Sequence, residues 1–276
     1  MSKTTLPSLS KMIFPAYLTF RKGVKIADEG IKIEEEFSAV SIDPDNLKEY
    51  KQYFNFDSTL PITYIYIVAQ RALLHLMLNK KFTIAVPGMV HLSNEIKLMD
   101  QFNPDQEFEI KASINVPVKD GSLFPSAVIS FYQNGVEVAN NVSHYIVKRK
   151  STQKRSKREE NVSNFGVAHY KEEWSIDRSA GKLYAKLSND KNPIHTSVLF
   201  AKMAGFKRPI AHGWYSVNRA VSSAEKQSGR EFKELQVAFS KPIFLPSKVQ
   251  FELNENNDFR VDHLTKEYSY LEGKLS

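Results

Sequence analysis

The chain has 276 residues, of which 38 are Lys or Arg and 31 are Asp or Glu, so its formal net charge is +7. A chain of this length forms either one large domain or two domains of about 130 residues each. The positive charge favours an anionic partner without naming it. The chain contains no cysteine, which excludes disulfides, thiolate nucleophiles, cysteine-ligated zinc and iron–sulfur clusters and fits a cytoplasmic enzyme.

The first half predicts a helix enclosed by antiparallel strands. Residues 31–40 alternate between apolar and polar side chains as a strand does, and residues 45–54 predict a polar helix. Asn134-Gly135 is a dipeptide that readily adopts positive φ, and it predicts the turn of a hairpin. The other strand-like runs are residues 88–99, 107–116 and 126–148.

Residues 61–78 are apolar on nearly all sides, yet we expect a buried central helix here and no membrane span. The segment is shorter than the ~20 residues that a span requires, and it carries Gln70, Arg71 and His75. A helix that is apolar all round must be enclosed by protein, and His75 is expected to be a satisfied core residue. Residues 1–23 lack an apolar run long enough for a signal peptide, so we expect them to belong to the mature protein.

Residues 148–160 are dense in charge and contain no apolar residue. A segment of this composition cannot bury surface, so we expect a solvated linker between two domains. The expected division is an N-terminal domain at 1–147, a linker at 148–163 and a C-terminal domain at 164–276. A contact with phosphate or with a carrier protein is the alternative role. Nucleic-acid binding is not expected, because the basic run has no interleaved aromatic residues for base stacking.

The second half repeats the order of the first, an apolar helix followed by strands, which indicates two copies of one fold. Trp214, Val217, Val221 and Ala224 fall on one face of the expected helix. Strands are expected within residues 232–253 and at the C-terminus.

Asp190 and His195 lie five residues apart on either side of an Asn-Pro step. Proline suits the first position of a helix and keeps the preceding residue out of the helical region, so Asn192 is expected to be a helix N-cap. A helix from Pro193 toward Met203 would place His195 in its first turn, where the macrodipole disfavours a cation. A neutral imidazole and a carboxylate that share one water form an acid–base pair.

Three stretches of this half resemble one known family: YAKLSNDKNPIH (184–195), AGFKRPIAHGW (204–214) and FSKPIFLPSKVQF (239–251). They are similar to the MaoC-like (R)-specific enoyl-CoA hydratases, or hydratase 2 proteins, whose signature is Ser-Gly-Asp-x-Asn-Pro-Ile/Leu-His. The first half resembles the degenerate first repeat of double hot dog members, which has lost the catalytic loop and helps to hold the acyl chain. The resemblance implies an α+β double hot dog, in which two antiparallel sheets each wrap around a long central helix.

The resemblance places the catalytic residues at Asp190 and His195, and the backbone donor to the thioester oxygen at Gly213. Asn189 departs from the family pattern, which has glycine there; asparagine is the least costly replacement if the position needs positive φ. His212 either holds the start of the helix or shapes the thioester pocket, and Tyr184 is expected to pack at the foot of the loop. The expected substrate-binding residues are Ser188, Asn189, Asn192, His212 and Trp214.

The implied reaction is reversible addition of water across a trans-2-enoyl thioester of fatty acid metabolism, giving a (3R)-hydroxyacyl thioester without a metal or redox cofactor. The carrier is coenzyme A or acyl carrier protein, and the protein is a monomer or a homodimer. Two other functions stay open. One is a non-catalytic acyl-thioester binding protein in which Asn189 has disabled the loop; the other is an acyl-CoA thioesterase, against which the Asp-x-Asn-Pro-x-His loop argues.

Overall fold

The computed structural model describes residues 5–19, 30–87, 89–119, 122–147 and 165–276. The expected basic linker at 148–163 lies outside the described residues. The division into two domains at that linker therefore stays a prediction.

The described residues form six α-helices, one 3-10 turn and twelve strands. The helices are α1 (Leu9–Leu18), α2 (Pro44–Phe54), α3 (Tyr64–Leu78), α4 (Ser179–Ser188), α5 (Val198–Met203) and α6 (Gly213–Ser228), and the 3-10 turn is Pro193–His195. The strands are β1 (Ile31–Val40), β2 (Met89–Leu98), β3 (Phe108–Val116), β4 (Val118–Lys119), β5 (Ser122–Leu123), β6 (Ser126–Gln133), β7 (Val136–Val147), β8 (Ala168–Ile176), β9 (Glu234–Phe239), β10 (Ser247–Asn254), β11 (Asp258–His263) and β12 (Ser269–Leu275).

Local sequence signals account for several of these boundaries. Asp43 caps α2, because its side chain accepts hydrogen bonds from the backbone N–H groups of Asp45 and Asn46, and Pro44 occupies the first helical position. The hairpin of β6 and β7 turns at Asn134 and Gly135, whose φ angles are +52° and +80°, as the dipeptide predicts. The expected strands at 31–40, 107–116 and 126–148 and the helix at 61–78 are confirmed within a few residues.

All strand pairs are antiparallel, and the sheet contains the same strand order twice. The N-terminal half has the order β1-β3-β6-β7-β2, and the C-terminal half repeats it as β8-β10-β11-β12-β9. The two halves meet where β2 pairs with β9, from Ser93 opposite Ala238 to Lys97 opposite Glu234. The expected repetition of one fold is therefore confirmed, and the two copies share one continuous sheet.

Helices α3 and α6 are the corresponding long helices of the two halves, and both are largely buried. Ten of the fifteen residues of α3 are buried, and Trp214, Val217, Val221 and Ala224 of α6 are buried on one face, as predicted. The hydroxyl of Tyr50 on α2 lies 2.7 Å from the Asn218 Oδ1 of α6, which ties the two halves together.

His75 is a satisfied residue at the edge of this core, as expected. Its Nε2 lies 2.9 Å from a carboxylate oxygen of Glu35, and its ring packs edge-on against Phe37. Within the described ranges, none of the helices combines the length and apolar character that crossing a membrane requires.

Candidate active site

The candidate loop begins with a left-handed residue directly after α4. Asn189 has φ +57° and ψ 9° and ends the helix, so the position that carries glycine in the resembling family does need positive φ. Asparagine adopts this conformation at lower cost than other non-glycine residues. Its side chain is exposed, so it points to solvent and leaves the course of the loop intact.

Ser188 shapes the same loop from inside. It is 1% exposed; its hydroxyl donates to the Tyr184 carbonyl (2.8 Å) and accepts from the Asp190 N–H (3.2 Å). Tyr184 is itself buried at the foot of the loop, where packing was expected. The hydroxyl of Ser188 thus has both of its hydrogen bonds within the loop, and a direct role in binding substrate stays a prediction.

Asn192 caps the next element, as the Asn-Pro step predicts. Its side chain accepts from the Ile194 N–H (3.3 Å), and its own N–H donates to Oδ1 of Asp190 (3.2 Å). The second bond turns the carboxylate of Asp190 back toward the chain that carries His195. The conformation of the loop that carries Asp190 is therefore determined by hydrogen bonds between residues that are close in sequence.

The expected continuous helix from Pro193 to Met203 is wrong. A 3-10 turn ends at His195, Ser197 is extended (φ −124°, ψ 128°), and the α-helix starts only at Val198. The physical reason is a competing hydrogen bond, because the Ile194 carbonyl accepts from the Ile210 N–H (3.3 Å) instead of closing a helical turn.

Two imidazoles lie against each other beside Asp190. The His195 Nδ1 lies 2.8 Å from the Ile210 carbonyl oxygen, and the His212 Nε2 lies 3.1 Å from the Asp190 carbonyl oxygen. A carbonyl oxygen can only accept, so these two nitrogens carry the protons. The nitrogens that keep their lone pairs are therefore His195 Nε2 and His212 Nδ1.

Burial favours the neutral form of both imidazoles. It lowers the pKa of His195, against the opposing effects of the Asp190 carboxylate and the Ile210 carbonyl. Burial also lowers the pKa of His212 well below its usual range, and the neighbouring His195 adds to this. The expectation that His195 is neutral thus has the right direction, although desolvation is the cause, whereas the sequence suggested a helix macrodipole.

Asp190, His195 and His212 each offer one ligand atom, and these three atoms lie within 4.8 Å of one another. Imidazole nitrogens and a carboxylate are ligands that zinc accepts. The three residues are therefore a candidate group for one metal ion. The sequence-based expectation of a reaction without metal stays a prediction.

Gly213 is the first residue of α6, directly after His212, which occupies the N-cap with extended backbone. The N–H groups of a first helical turn have no intrahelical partner and lie at the positive end of the macrodipole. A Cβ at Gly213 would lie 2.8 Å from a ring carbon of Phe239. A larger residue here would therefore displace the Phe239 ring or the start of α6, a contact that the sequence did not reveal.

The N-terminal half contributes side chains to the site that sequence reasoning missed. Gln70 on α3 donates its Nε2–H to Oδ2 of Asp190 at 3.0 Å. One turn earlier, Tyr66 stacks on the predicted site residue Trp214, with ring centroids 3.9 Å apart and planes inclined by 13°. The available signal in the sequence was weak: Gln70 is one of three polar residues, with Arg71 and His75, in a largely apolar helix.

An aromatic stack continues from Tyr66 into the sheet. The ring of His91 lies 5.8 Å from that of Tyr66 and 4.5 Å from that of Tyr145, with nearly parallel planes in both pairs. Burial lowers the pKa of His91 to about 3, so its ring is neutral. The packing of His91 is therefore that of a structural residue.

Several known proteins are similar to this chain over most of its length. The 3-hydroxyacyl-thioester dehydratase X of Mycobacterium tuberculosis is 23% identical over 263 residues, which cover 90% of this chain and 89% of that protein. A crystal structure of HtdX from Mycobacterium tuberculosis superposes with a TM-score of 0.73 at 19% identity, covering 88% of this chain and 99% of that chain. A conserved hypothetical protein of the same organism, described as having a double hot dog fold, superposes with a TM-score of 0.54 at 10% identity, covering 91% and 96% of the two chains.

The fold, and a family match for the C-terminal half, follow from these similarities. Two long helices, each against one half of the continuous antiparallel sheet and with the same strand order in each half, form the double hot dog expected from the sequence. Residues 151–272 match the protein family described as MaoC like domain. The C-terminal half, which holds the three motifs, therefore matches a MaoC like domain.

Proposed function

We propose that the protein is an (R)-specific enoyl-thioester hydratase that also catalyses the reverse reaction, dehydration of a (3R)-hydroxyacyl thioester. The observation that carries the proposal is the convergence of the Asp190 carboxylate and the His195 imidazole beside the start of α6. The similarity over most of the chain to a 3-hydroxyacyl-thioester dehydratase supports the same reaction.

In this proposal, Asp190 and His195 share the movement of protons. One water loses a proton to the pair as its oxygen bonds to C3 of the enoyl group, and the C2–C3 π electrons move through the carbonyl onto the thioester oxygen. The electrons then return as C2 takes a proton from the pair, which restores the thioester and the original protonation state. The lone pair on His195 Nε2 and the Asp190 carboxylate are the groups that can take up and return the proton.

The Gly213 N–H stabilises the oxyanion that forms on the thioester oxygen. It belongs to the first turn of α6, where the backbone donors point outward from the helix end. A preorganised donor of this kind typically contributes about 100- to 1000-fold in rate. His212, directly before it, sets the entry into the helix while its ring packs on His195.

The proposed substrate is an acyl thioester of coenzyme A or of acyl carrier protein. The N-terminal half would serve as the wall for the acyl chain, since Tyr66 and Gln70 of α3 already reach the site. Trp214, Asn192 and the loop around Ser188 and Asn189 would complete the substrate contacts. A cytoplasmic location and a monomer or homodimer are part of the proposal.

The test is an assay for hydration of crotonyl-CoA and of longer enoyl-CoAs. The reaction is monitored through the loss of the enoyl absorbance. Chromatography on a chiral phase should identify the hydrolysed product as the (3R)-hydroxy acid. Asp190→Asn and His195→Ala should each reduce turnover by at least about 100-fold with unchanged circular dichroism. His169→Ala, at an exposed histidine of β8, is the matched control and should keep wild-type turnover.

Other outcomes would contradict this assignment. Near wild-type turnover in either Asp190→Asn or His195→Ala would show that the pair is not catalytic. Release of free thiol from acyl-CoA would indicate a thioesterase. Binding of enoyl-CoA without turnover at any chain length would indicate an acyl-thioester binding protein.

A further inference from the structure

Gln70 makes a direct contact between the N-terminal half and the candidate catalytic carboxylate. It lies on the largely buried helix α3, 120 positions before Asp190, and its Nε2 is 3.0 Å from Asp190 Oδ2. A polar side chain within an apolar helix is retained at a cost unless its hydrogen bonds are made. The bond to Asp190 is such a contact.

Hydrogen bonds fix the orientation of the Asp190 carboxylate and of the Gln70 amide. The Asn192 N–H holds Oδ1 of Asp190 at 3.2 Å, and Gln70 holds Oδ2. The carboxylate therefore has one fixed donor on each oxygen, one from its own loop and one from the other half of the protein. Reversing the Gln70 amide would place its oxygen against the carboxylate, so the donor must be the nitrogen.

The other end of the same amide has no protein partner in the described part of the chain. The Gln70 Oε1 is buried and has no hydrogen-bond partner among the described residues. Buried amide oxygens in native proteins are nearly always paired. This unpaired acceptor belongs to the same amide that contacts Asp190, so the one hydrogen bond that the Gln70 side chain makes within the described ranges is the bond to the carboxylate.

Helix α3 is held firmly enough at this point to act as a positioning element. Tyr66, one turn before Gln70 on the same face, stacks on Trp214 next to Gly213. The Tyr64 hydroxyl donates to the Asn46 side chain (2.8 Å), whose Nδ2 donates to the Leu187 carbonyl of α4 (3.0 Å). The helix that carries Gln70 is thus connected to both ends of the candidate site.

We infer that Gln70 is a positioning residue: it fixes the carboxylate plane of Asp190, so that the half of the protein without the catalytic loop completes the site. The inference rests on the proposed hydratase reaction for its kinetic test. Asp190 remains the group that acts on the substrate, and Gln70 acts through it.

The kinetic test compares Gln70→Met, which has similar length and no donor, with Gln70→Glu. We expect Gln70→Met to lower kcat on crotonyl-CoA by about 10- to 100-fold, because a catalytic group misplaced by about 1 Å can lose that much. KM should stay within about 3-fold. His75→Gln, on the same helix but paired with Glu35 away from the site, should leave kcat and KM unchanged.

Gln70→Glu separates positioning from simple packing. At about pH 8 its carboxylate would repel Asp190, so kcat should fall below that of Gln70→Met. As the pH is lowered toward about 5, the introduced carboxyl gains a proton that it can donate, and its kcat relative to Gln70→Met should rise. A ratio that does not change with pH would contradict the positioning role.

The inference is wrong if Gln70→Met keeps kcat within about 2-fold of wild type. If the wild-type protein hydrates no enoyl thioester, the proposed function fails. The contact between Gln70 and Asp190 can then be tested separately by NMR. The side-chain amide signals of Gln70 should shift in Asp190→Ala and not in His169→Ala. Unshifted signals would show that the two side chains do not interact in solution.

Discussion

His195 and His212 anchor each other's segments as their rings stack with centroids 3.6 Å apart and planes inclined by 26°. His195 donates to the carbonyl of Ile210, two residues before His212, and His212 donates to the carbonyl of Asp190, five residues before His195. Each ring is thus fixed by the backbone of the segment that carries the other. The loop and the start of α6 are held as one unit.

The burial of this pair predicts the pH dependence of the reaction. Because burial lowers the pKa of His195, its neutral form should persist below pH 6.5, the usual pKa of histidine. We expect kcat for hydration to stay nearly constant from about pH 8 to 6.5 and to fall only at lower pH. A rate that is already half-maximal above pH 6.5 would mean that the imidazole is not desolvated in the working enzyme.

Asn189 predicts a difference between glycine and β-branched substitutions. Asn189→Gly should keep kcat within about 2-fold and change stability little, because the backbone at φ +57° suits both residues. Asn189→Val should lose about 1–3 kcal/mol of unfolding free energy, since a β-branched residue is strained at this φ. Thermal melts and crotonyl-CoA turnover measure the two effects. Loss of activity in Asn189→Gly would show that the asparagine side chain itself matters.

Gly213 predicts a steric effect that a second substitution can relieve. A Cβ at this position would lie 2.8 Å from the ring of Phe239, so Gly213→Ala should shift that ring or the start of α6. We expect kcat to fall about 10-fold or more, since the proposed oxyanion donor moves with the helix. Adding Phe239→Leu should recover part of the lost thermal stability, and Phe239→Leu alone is the control. Unchanged kcat in Gly213→Ala would remove Gly213 from the site.

Glu225 on α6 predicts pH-dependent stability away from the site. Burial, with Glu231 and Asp57 nearby, raises its pKa from 4.5 to about 7. The folded state therefore favours the neutral acid, and this contribution to stability is present below about pH 4.5 and lost as the pH rises through about 7.

Replacing this carboxyl should remove that loss of stability. Glu225→Gln should raise the unfolding free energy by about 1–2 kcal/mol at pH 8, a value discounted for the partial exposure of the side chain. It should have little effect near pH 4.5. Urea unfolding at the two pH values measures the difference, with Glu107→Gln at an exposed position as control. Equal effects at both pH values would contradict the assignment.

Local patterns predicted the parts of the site that are contiguous in sequence. The Asn-Pro step fixes the Asn192 cap, and the left-handed preference of asparagine fits Asn189, because each depends on backbone preferences of one or two residues. The helical face of Trp214 and Val217 follows from spacing alone. The family motif then assigned Asp190 and His195, which composition and spacing could not have done.

Contacts between distant segments could not be predicted in this way. The bond from Gln70 to Asp190, the Phe239 ring against Gly213 and the pairing of Ile194 with Ile210 all join residues that are far apart in the chain or in different elements. The last of these also ended the predicted helix, since tertiary hydrogen bonds override local propensity. Desolvation, which sets the charge of both histidines, likewise depends on packing.

The pairing of β2 with β9 has a consequence for how this protein can evolve. In a homodimer of single repeats, every substitution would appear on both sides of the seam, and a residue that helps one site would have to be tolerated at its symmetric position. A continuous chain removes that constraint. Gln70 needs to contact only one carboxylate, that of Asp190. The N-terminal half, which carries Gln70, can therefore diverge from the C-terminal half toward recognition of the substrate.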